Sequence, residues 1–446
     1  MGPRRSAAIF LLGLAVLFLL GLEPTHDFAH PHHMNAMADV EDVDVADHAD
    51  SNCLNPVLFA GHDPSSKNHA RPVFEAFKAA GSRGHCSLWF DLASPQQKAA
   101  IAAHPEDWGE RLLAGLGDST RPVLLFTGNS VAPIEYNLIT AAKARGIQTV
   151  TLVEFGPGNL RSTRAVTPKE WPDKFLVTNR ATQKELAEMT HSKLEDVEVV
   201  GSSHFEKLVL QGEGLRRQRG SFQQRFDASA KCSEPCEPPA RATVRRVAYF
   251  SGNPELADHL EILSALLRLL TDWMVAHETD SPVVFRVVVR VHPRTRPETV
   301  LLLEEACASA FKGFLGAWAA MEMPPLATGA LANQELLVAS DFALSMSSTV
   351  SLESVCVGTP AAFMLVGHTR THQKEAEAHL DSVFGDLPAV PRVVANDDMR
   401  KFIGGALSQS EQALAAMASA RASLESNSGA LSRTLSVLER LVPQQR

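Results

Sequence analysis

A histidine closing a β-branched run, and three consecutive hydroxyls about fifty residues later, are the side chains of this 446-residue sequence best suited to grip a phosphate. The first segment, Val287–Pro293, reads as a buried parallel strand stopped by proline, which delivers His292 to the strand's carboxyl end. The second, Ser340–Glu353, predicts a strand over Phe342–Met346 and then a helix opened by Ser347, Ser348 and Thr349, ahead of Gly358-Thr359-Pro360. Hydroxyls and unpaired backbone N–H groups at a helix start form an anion-binding nest, reinforced by the helix dipole. Serine and threonine are also the preferred helix caps. Capping accounts for one hydroxyl, not for three in succession opposite a His-Pro strand end. Ligands of open α/β sheets sit outside the carboxyl ends of the strands, so a phosphate-bearing ligand between His292 and Ser347–Thr349 is the economical reading.

The elements that must position these residues alternate. Strands are expected at 56–61, 87–92, 122–127, 148–154, 174–178 and 197–200, with helices near 70–80, 95–103, 134–145 and 181–189. That spacing predicts βαβ units around a parallel sheet. The stretch 205–241 breaks the rhythm with charge, glycine and proline and reads as linker plus insertion, carrying Arg216, Arg217, Arg219 and Arg225 as a solvated loop cluster. A second half restarts at 244–250 and continues with a helix to about Met274, a strand 283–291, a helix 297–310, the serine segment, a strand 361–366 and a helix near 371–380. From about 399 to 441 the Ala-, Ser- and Glu-rich tail predicts one or two amphipathic helices. The expected architecture is α/β. Two Rossmann-like domains, 54–205 and 243–405, flank a cleft, joined by 206–242 and followed by C-terminal helices over 406–446.

Composition narrows the partners. Hydrophobic residues make up 45% and charged residues 21%, enough for a large core, and a net charge of −9 leaves no broad basic face for nucleic acid. Arg4 and Arg5 precede an uncharged apolar run, Ala7–Leu22, and residues 23–53 form a His- and Asp-rich stem. The run reads as a signal-anchor, or alternatively a cleaved signal peptide giving a secreted protein, and charge asymmetry places the bulk on the non-cytoplasmic side of a membrane. His30, His32 and His33 fit a flexible linker better than a metal site. Cys53, Cys86, Cys307 and Cys356 are scattered, the last two in expected helices as buried thiols; Cys232 and Cys236 could bridge locally in an oxidising compartment. No Asn-x-Ser/Thr sequon is present.

The two halves, with "HP" at 292–293 and "SDFALSMSSTVSLESVCVGTP" at 340–360, resemble the GT-B glycosyltransferase architecture. The segment 197–206, "VEVVGSSHFE", is similar to the "VVGSxxFD" that closes the first domain there. The pattern most resembles bacterial sialyl- and polysialyltransferases, capsule polysaccharide transferases and CDP-glycerol glycerophosphotransferases, over about seventy residues. The resemblance implies that His292 contacts a donor phosphate and that Ser347, Ser348 and Thr349 bind it through hydroxyls and backbone. It further implies that Glu353, one helical turn on, holds a ribose hydroxyl. The implied activity is transfer of a sugar or related group from a nucleotide-activated donor substrate to a glycan or lipid acceptor. The acidic pair before a glycine that serves those sialyltransferases as base is absent in clean form.

Such chemistry needs a stabilised leaving phosphate and a base for the acceptor hydroxyl. No Asp-x-Asp stands on a strand edge, so the expectation is a metal-independent site without a cofactor, in which His292, with Arg290 and Arg294 nearby, supplies positive charge. Ser251 and Gly252 offer a second phosphate contact. The base should come from the first half: Asp63 and His62 in the first strand-to-helix loop, or Glu154 before Phe155-Gly156-Pro157-Gly158. The plain alternatives are a helix cap for His62–Asp63 and a cap of the glycine loop for Glu154; Gly128-Asn129 reads as a tight turn that lets a ligand approach, or equally as a packing site. A GT-B-type nucleotide-sugar epimerase or hydrolase is the competing function, and a non-catalytic nucleotide-sugar-binding relative is the third.

Overall fold

The computed structural model describes residues 55–81, 85–117, 120–130, 133–153, 160, 163–229, 237–252, 259–277, 282–292, 295–323, 330–346, 348–365, 374, 377, 380, 390–408, 411–425 and 428–442. The expected leader and stem lie outside this set. Among the described residues no helix is long and apolar enough to cross a membrane.

Among the described residues, twelve strands form two six-stranded sheets. The first comprises β1 (Val57–Gly61), β2 (Ser87–Asp91), β3 (Leu124–Thr127), β4 (Gln148–Val153), β5 (Lys174–Val177) and β6 (Val197–Val199), in the order β2-β1-β3-β4-β5-β6. The second comprises β7 (Thr243–Phe250), β8 (Val283–Arg290), β9 (Trp318–Glu322), β10 (Phe342–Ser345), β11 (Ala361–Met364) and β12 (Arg392–Val393), in the order β12-β11-β10-β7-β8-β9. Every pairing is parallel. The order reverses between β1 and β3 in one sheet and between β7 and β10 in the other. In an open parallel sheet such switch points are where ligands bind.

Alternating residues along each strand fill opposite faces. In the first sheet Phe59, Phe126 and Leu152 meet Val73 and Phe77 of helix Pro64–Ala80, while Leu58 and Leu125 meet Trp108, Leu112, Leu138 and Ile139. In the second, Tyr249, Val289 and Leu344 meet Ile262, Leu263 and Leu266 of helix His259–Ala276.

The stretch expected to be linker and insertion is two helices, Ser203–Arg217 and Arg219–Ala228. They place Phe205, Leu208, Phe222 and Phe226 in the core of the second sheet beside Ala248, Phe250 and Leu337. Three arginines expected to be solvated are tied down: Arg216 donates to Val357 O at 3.1 Å, Arg219 pairs with Asp341 at 3.0 Å and Arg225 with Glu335 at 3.1 Å. Arg217 alone of the four stays exposed, paired with Glu213 one turn away. The apolar positions in these helices are sparse, and charged neighbours mask their period. Strand β9 was likewise invisible as an alternation of small residues.

The tail forms helices Asn396–Ser408, Glu411–Glu425 and Ala430–Leu441. The last returns to the first sheet, burying Val437 and Leu438 against its core. Glu206, just past the first domain, accepts the Gly429 and Leu431 N–H groups at the start of that helix.

Candidate functional site at the two switch points

At the switch point of the second sheet, three loops meet. β7 runs into Ser251-Gly252, β8 into Val291-His292, and β10 into Met346 and the serine segment. Backbone pairing continues one residue past the strands, with Ser251 N–H donating to Arg290 O at 3.0 Å and Met346 N–H to Phe250 O at 3.3 Å. The fully buried Ser251 then accepts the His292 N–H on its Oγ at 2.9 Å. Gly252 has φ +66°, and a Cβ there would stand 2.3 Å from Met346 O. Only glycine permits that approach. Ser251 and Gly252 therefore clamp His292 on one side and the start of the serine loop on the other.

Serines also hold the loop from beneath. Ser345 Oγ and Ser351 Oγ are 2.7 Å apart, and Ser351 Oγ reaches Ala362 O at 3.4 Å. Helix Val350–Cys356 starts after Thr349, whose side chain makes no cap hydrogen bond, while Ser348 Oγ receives the Val350 N–H at 3.4 Å. Capping thus accounts for Ser348 and leaves the Thr349 hydroxyl unused among the described residues. His292 is half-buried rather than turned into the core. Ser347 and Arg294 lie outside the described residues.

Two expected contributors have structural partners. Arg290 is buried and bound to Glu322, to Asn333 Oδ1 at 2.7 Å and to Leu331 O at 3.0 Å. Its charge is neutralised inside the fold, so it is not a spare cation. Glu353 is buried, with Oε1 3.4 Å from His204 Nε2 and Oε2 3.4 Å from Gln334 Nε2.

The switch point of the first sheet gathers His62 and Asp63 after β1 and Gly128–Ser130 after β3. Asp63 is the N-cap of helix Pro64–Ala80, its carboxylate accepting Ser66 N–H at 2.8 Å. The plain capping role is therefore present. Gly128 is there for packing: a Cβ would lie 2.3 Å from Ser66 Oγ and 2.7 Å from Ser66 O. Glu154 lies outside the described residues.

Sequence reasoning missed the acid at this end. Glu135, in the first turn of helix Ile134–Ala144, is fully buried beneath the His62 loop. Its Oε1 accepts His62 N–H at 3.2 Å, Ser66 Oγ at 3.0 Å and Ser130 Oγ. Burial pushes its carboxyl up to about 7, against the pull of the two serine hydrogen bonds. Burial also lowers the His62 imidazole. The available signal was an acid on a helix face otherwise made of Leu138, Ile139 and Ala142, all buried.

No family model matches this chain, and no curated protein does. Solved structures do. The Staphylococcus aureus MnaA–UDP co-structure is 11% identical over 88% of this chain and 98% of that one, with a TM-score of 0.54. A glycosyltransferase from Rickettsia africae ESF-5 is 13% identical over 88% and 100%, with a TM-score of 0.52. A UDP-forming alpha,alpha-trehalose-phosphate synthase from Burkholderia xenovorans is 11% identical over 87% and 99%, with a TM-score of 0.51. At these identities the likeness establishes the fold, two parallel α/β domains of the GT-B type.

Proposed function

We propose that the protein is a glycosyltransferase-like enzyme that uses a nucleotide-activated donor without a metal ion. The observation that carries this reading is the clamp at the second switch point, where Ser251 and Gly252 bind the backbone of His292 to the start of the serine loop. In this reading the imidazole of His292 and the hydroxyls and N–H groups of Ser347–Thr349 take the donor phosphates, with Arg294 adding charge. The structural neighbours bound to UDP, or named as UDP-forming, support a nucleotide donor. Glu353 stands one turn inside the same helix for a ribose hydroxyl, and its contact with His204 is part of that site. On the first domain, His62 is the base for the acceptor hydroxyl of a glycan or lipid, held by the Asp63 cap; Glu154 is a further acidic candidate.

The proposed setting is the lumenal side of a membrane, with Ala7–Leu22 as signal-anchor. Cys86 is disulfide-bonded. Disulfides persist in oxidising compartments, which supports that location.

The test is incubation of the purified chain with CMP-, CDP-, UDP- and GDP-sugars, with and without glycan and lipid acceptors. Product that forms only with acceptor supports transfer. Donor that changes without acceptor supports the epimerase or hydrolase reading, and binding without turnover the non-catalytic one.

A further inference from the structure

Glu135 and His62 hold an unmatched pair of atoms. Three donors converge on Glu135 Oε1, whereas Oε2 is buried and receives none. Nδ1 of His62 is buried and unpartnered as well. Each such orphan forfeits its hydration without compensation. Here two occur on residues already joined by the His62 N–H to Glu135 Oε1 bond. One wants a donor and the other can supply one.

We propose that Glu135 is the positioning residue for His62: Oε2 takes the Nδ1–H of the imidazole, directly or across one water, and fixes Nε2 as the proton-accepting atom. This rests on the reading of His62 as the base. In the transfer step the acceptor O–H proton passes to Nε2 as that oxygen bonds to the sugar carbon. The bond from that carbon to the donor phosphate oxygen breaks, and its electron pair leaves on the nucleotide phosphate. The imidazolium so formed is stabilised by the carboxylate behind it.

Besides Glu135, the charged groups facing His62 are Asp63 on its own loop, Lys67 on the following helix, Asp91 at the end of β2 and Lys98 on helix Pro95–Ala103. Lys67 is paired with Asp91 at 3.2 Å, so their charges largely offset. Burial raises the carboxyl and lowers the imidazole.

The test needs no substrate. Carbethoxylation of His62 by diethyl pyrocarbonate, followed by mass spectrometry of its peptide from roughly pH 5 to 9, reads when a ring nitrogen becomes free. Wild type gives the reference midpoint. Glu135→Gln keeps an acceptor for the three donors but loses the charge, and its midpoint should fall by about one pH unit or more. An unchanged midpoint overturns the pairing. Ser66→Ala removes a donor to Oε1 yet keeps the carboxylate, so its midpoint should stay or rise. A fall there would mark a purely structural role, and this variant decides the matter alone should Glu135→Gln fail to fold. Absence of sugar transfer with the midpoint shift intact would remove the transferase reading and leave the pair standing.

Discussion

His204 Nε2 lies 3.4 Å from Glu353 Oε1, joining the helix that leaves the first domain to the helix that follows the serine loop of the second. The separation is that of an ion pair, although the geometry leaves Nε2 short of a formed hydrogen bond. On its other side His204 packs against the fully buried His69, ring centroids 5.5 Å apart, and His69 belongs to the helix that leaves the first switch point. One imidazole thus connects the helices that start at the two switch points.

That connection has a measurable energy. In a double-mutant cycle of His204→Ala and Glu353→Gln followed by urea unfolding, a coupling of ~0.5–3 kcal/mol is expected. Strict additivity would mean that the two helices are adjacent but not joined by this pair.

Gly252→Ala places a methyl on Met346 O in a left-handed backbone. The expected cost is ~1–3 kcal/mol in chemical denaturation. Loss of ligand-induced stabilisation should accompany it, because the serine loop must move away. Wild-type stability and ligand response would show that the clamp is not needed.

Glu135 gives a pH dependence with a definite sign. Its folded value of about 7 lies above the ordinary glutamate value of 4.5. The native state therefore keeps a proton that the unfolded chain has released, and stability must fall as pH rises between those values. The contribution is fully present below about 4.5 and lost above about 7, on the order of 3 kcal/mol over the interval. Glu135→Gln should flatten that slope in urea unfolding across the same window. Parallel curves for the two proteins would contradict the assignment.

How much of this was readable beforehand follows from what each feature depends on. Strand-helix alternation, and the delivery of His292 and Ser348–Thr349 to strand ends, are local and were legible. Strand order is not local: nothing in the Ser251-Gly252 dipeptide says that β7 lies between β8 and β10, yet that order makes it the clamp. Arg290 looked available because its partner Glu322 comes from β9, a strand the sequence pattern concealed. The C-terminal helix had a visible amphipathic period, but its target, the first sheet, lies more than two hundred residues upstream, as the Glu206 to Leu431 contact shows.

That returning helix yields a further prediction. Glu206→Ala strips the N-terminal cap of helix Ala430–Leu441. A loss of ~1 kcal/mol is expected, and amide hydrogen exchange over 430–441 should quicken selectively. Leu438→Ala, fully buried against the first sheet, should cost ~2–5 kcal/mol. Unaltered exchange and stability would separate this helix from the first domain's core.

The most direct test of the central claim is a thermal-shift series with CMP, CDP, UDP, GDP and their sugars, on wild type and His292→Ala. The substitution spares the backbone N–H that binds Ser251 Oγ, so the clamp should persist. One nucleotide is expected to stabilise wild type, by about 2.7 kcal/mol at a hundredfold excess over Kd, and the variant should lose most of that gain. A series in which no nucleotide stabilises wild type, or in which His292→Ala responds as wild type does, would contradict a phosphate grip at this switch point.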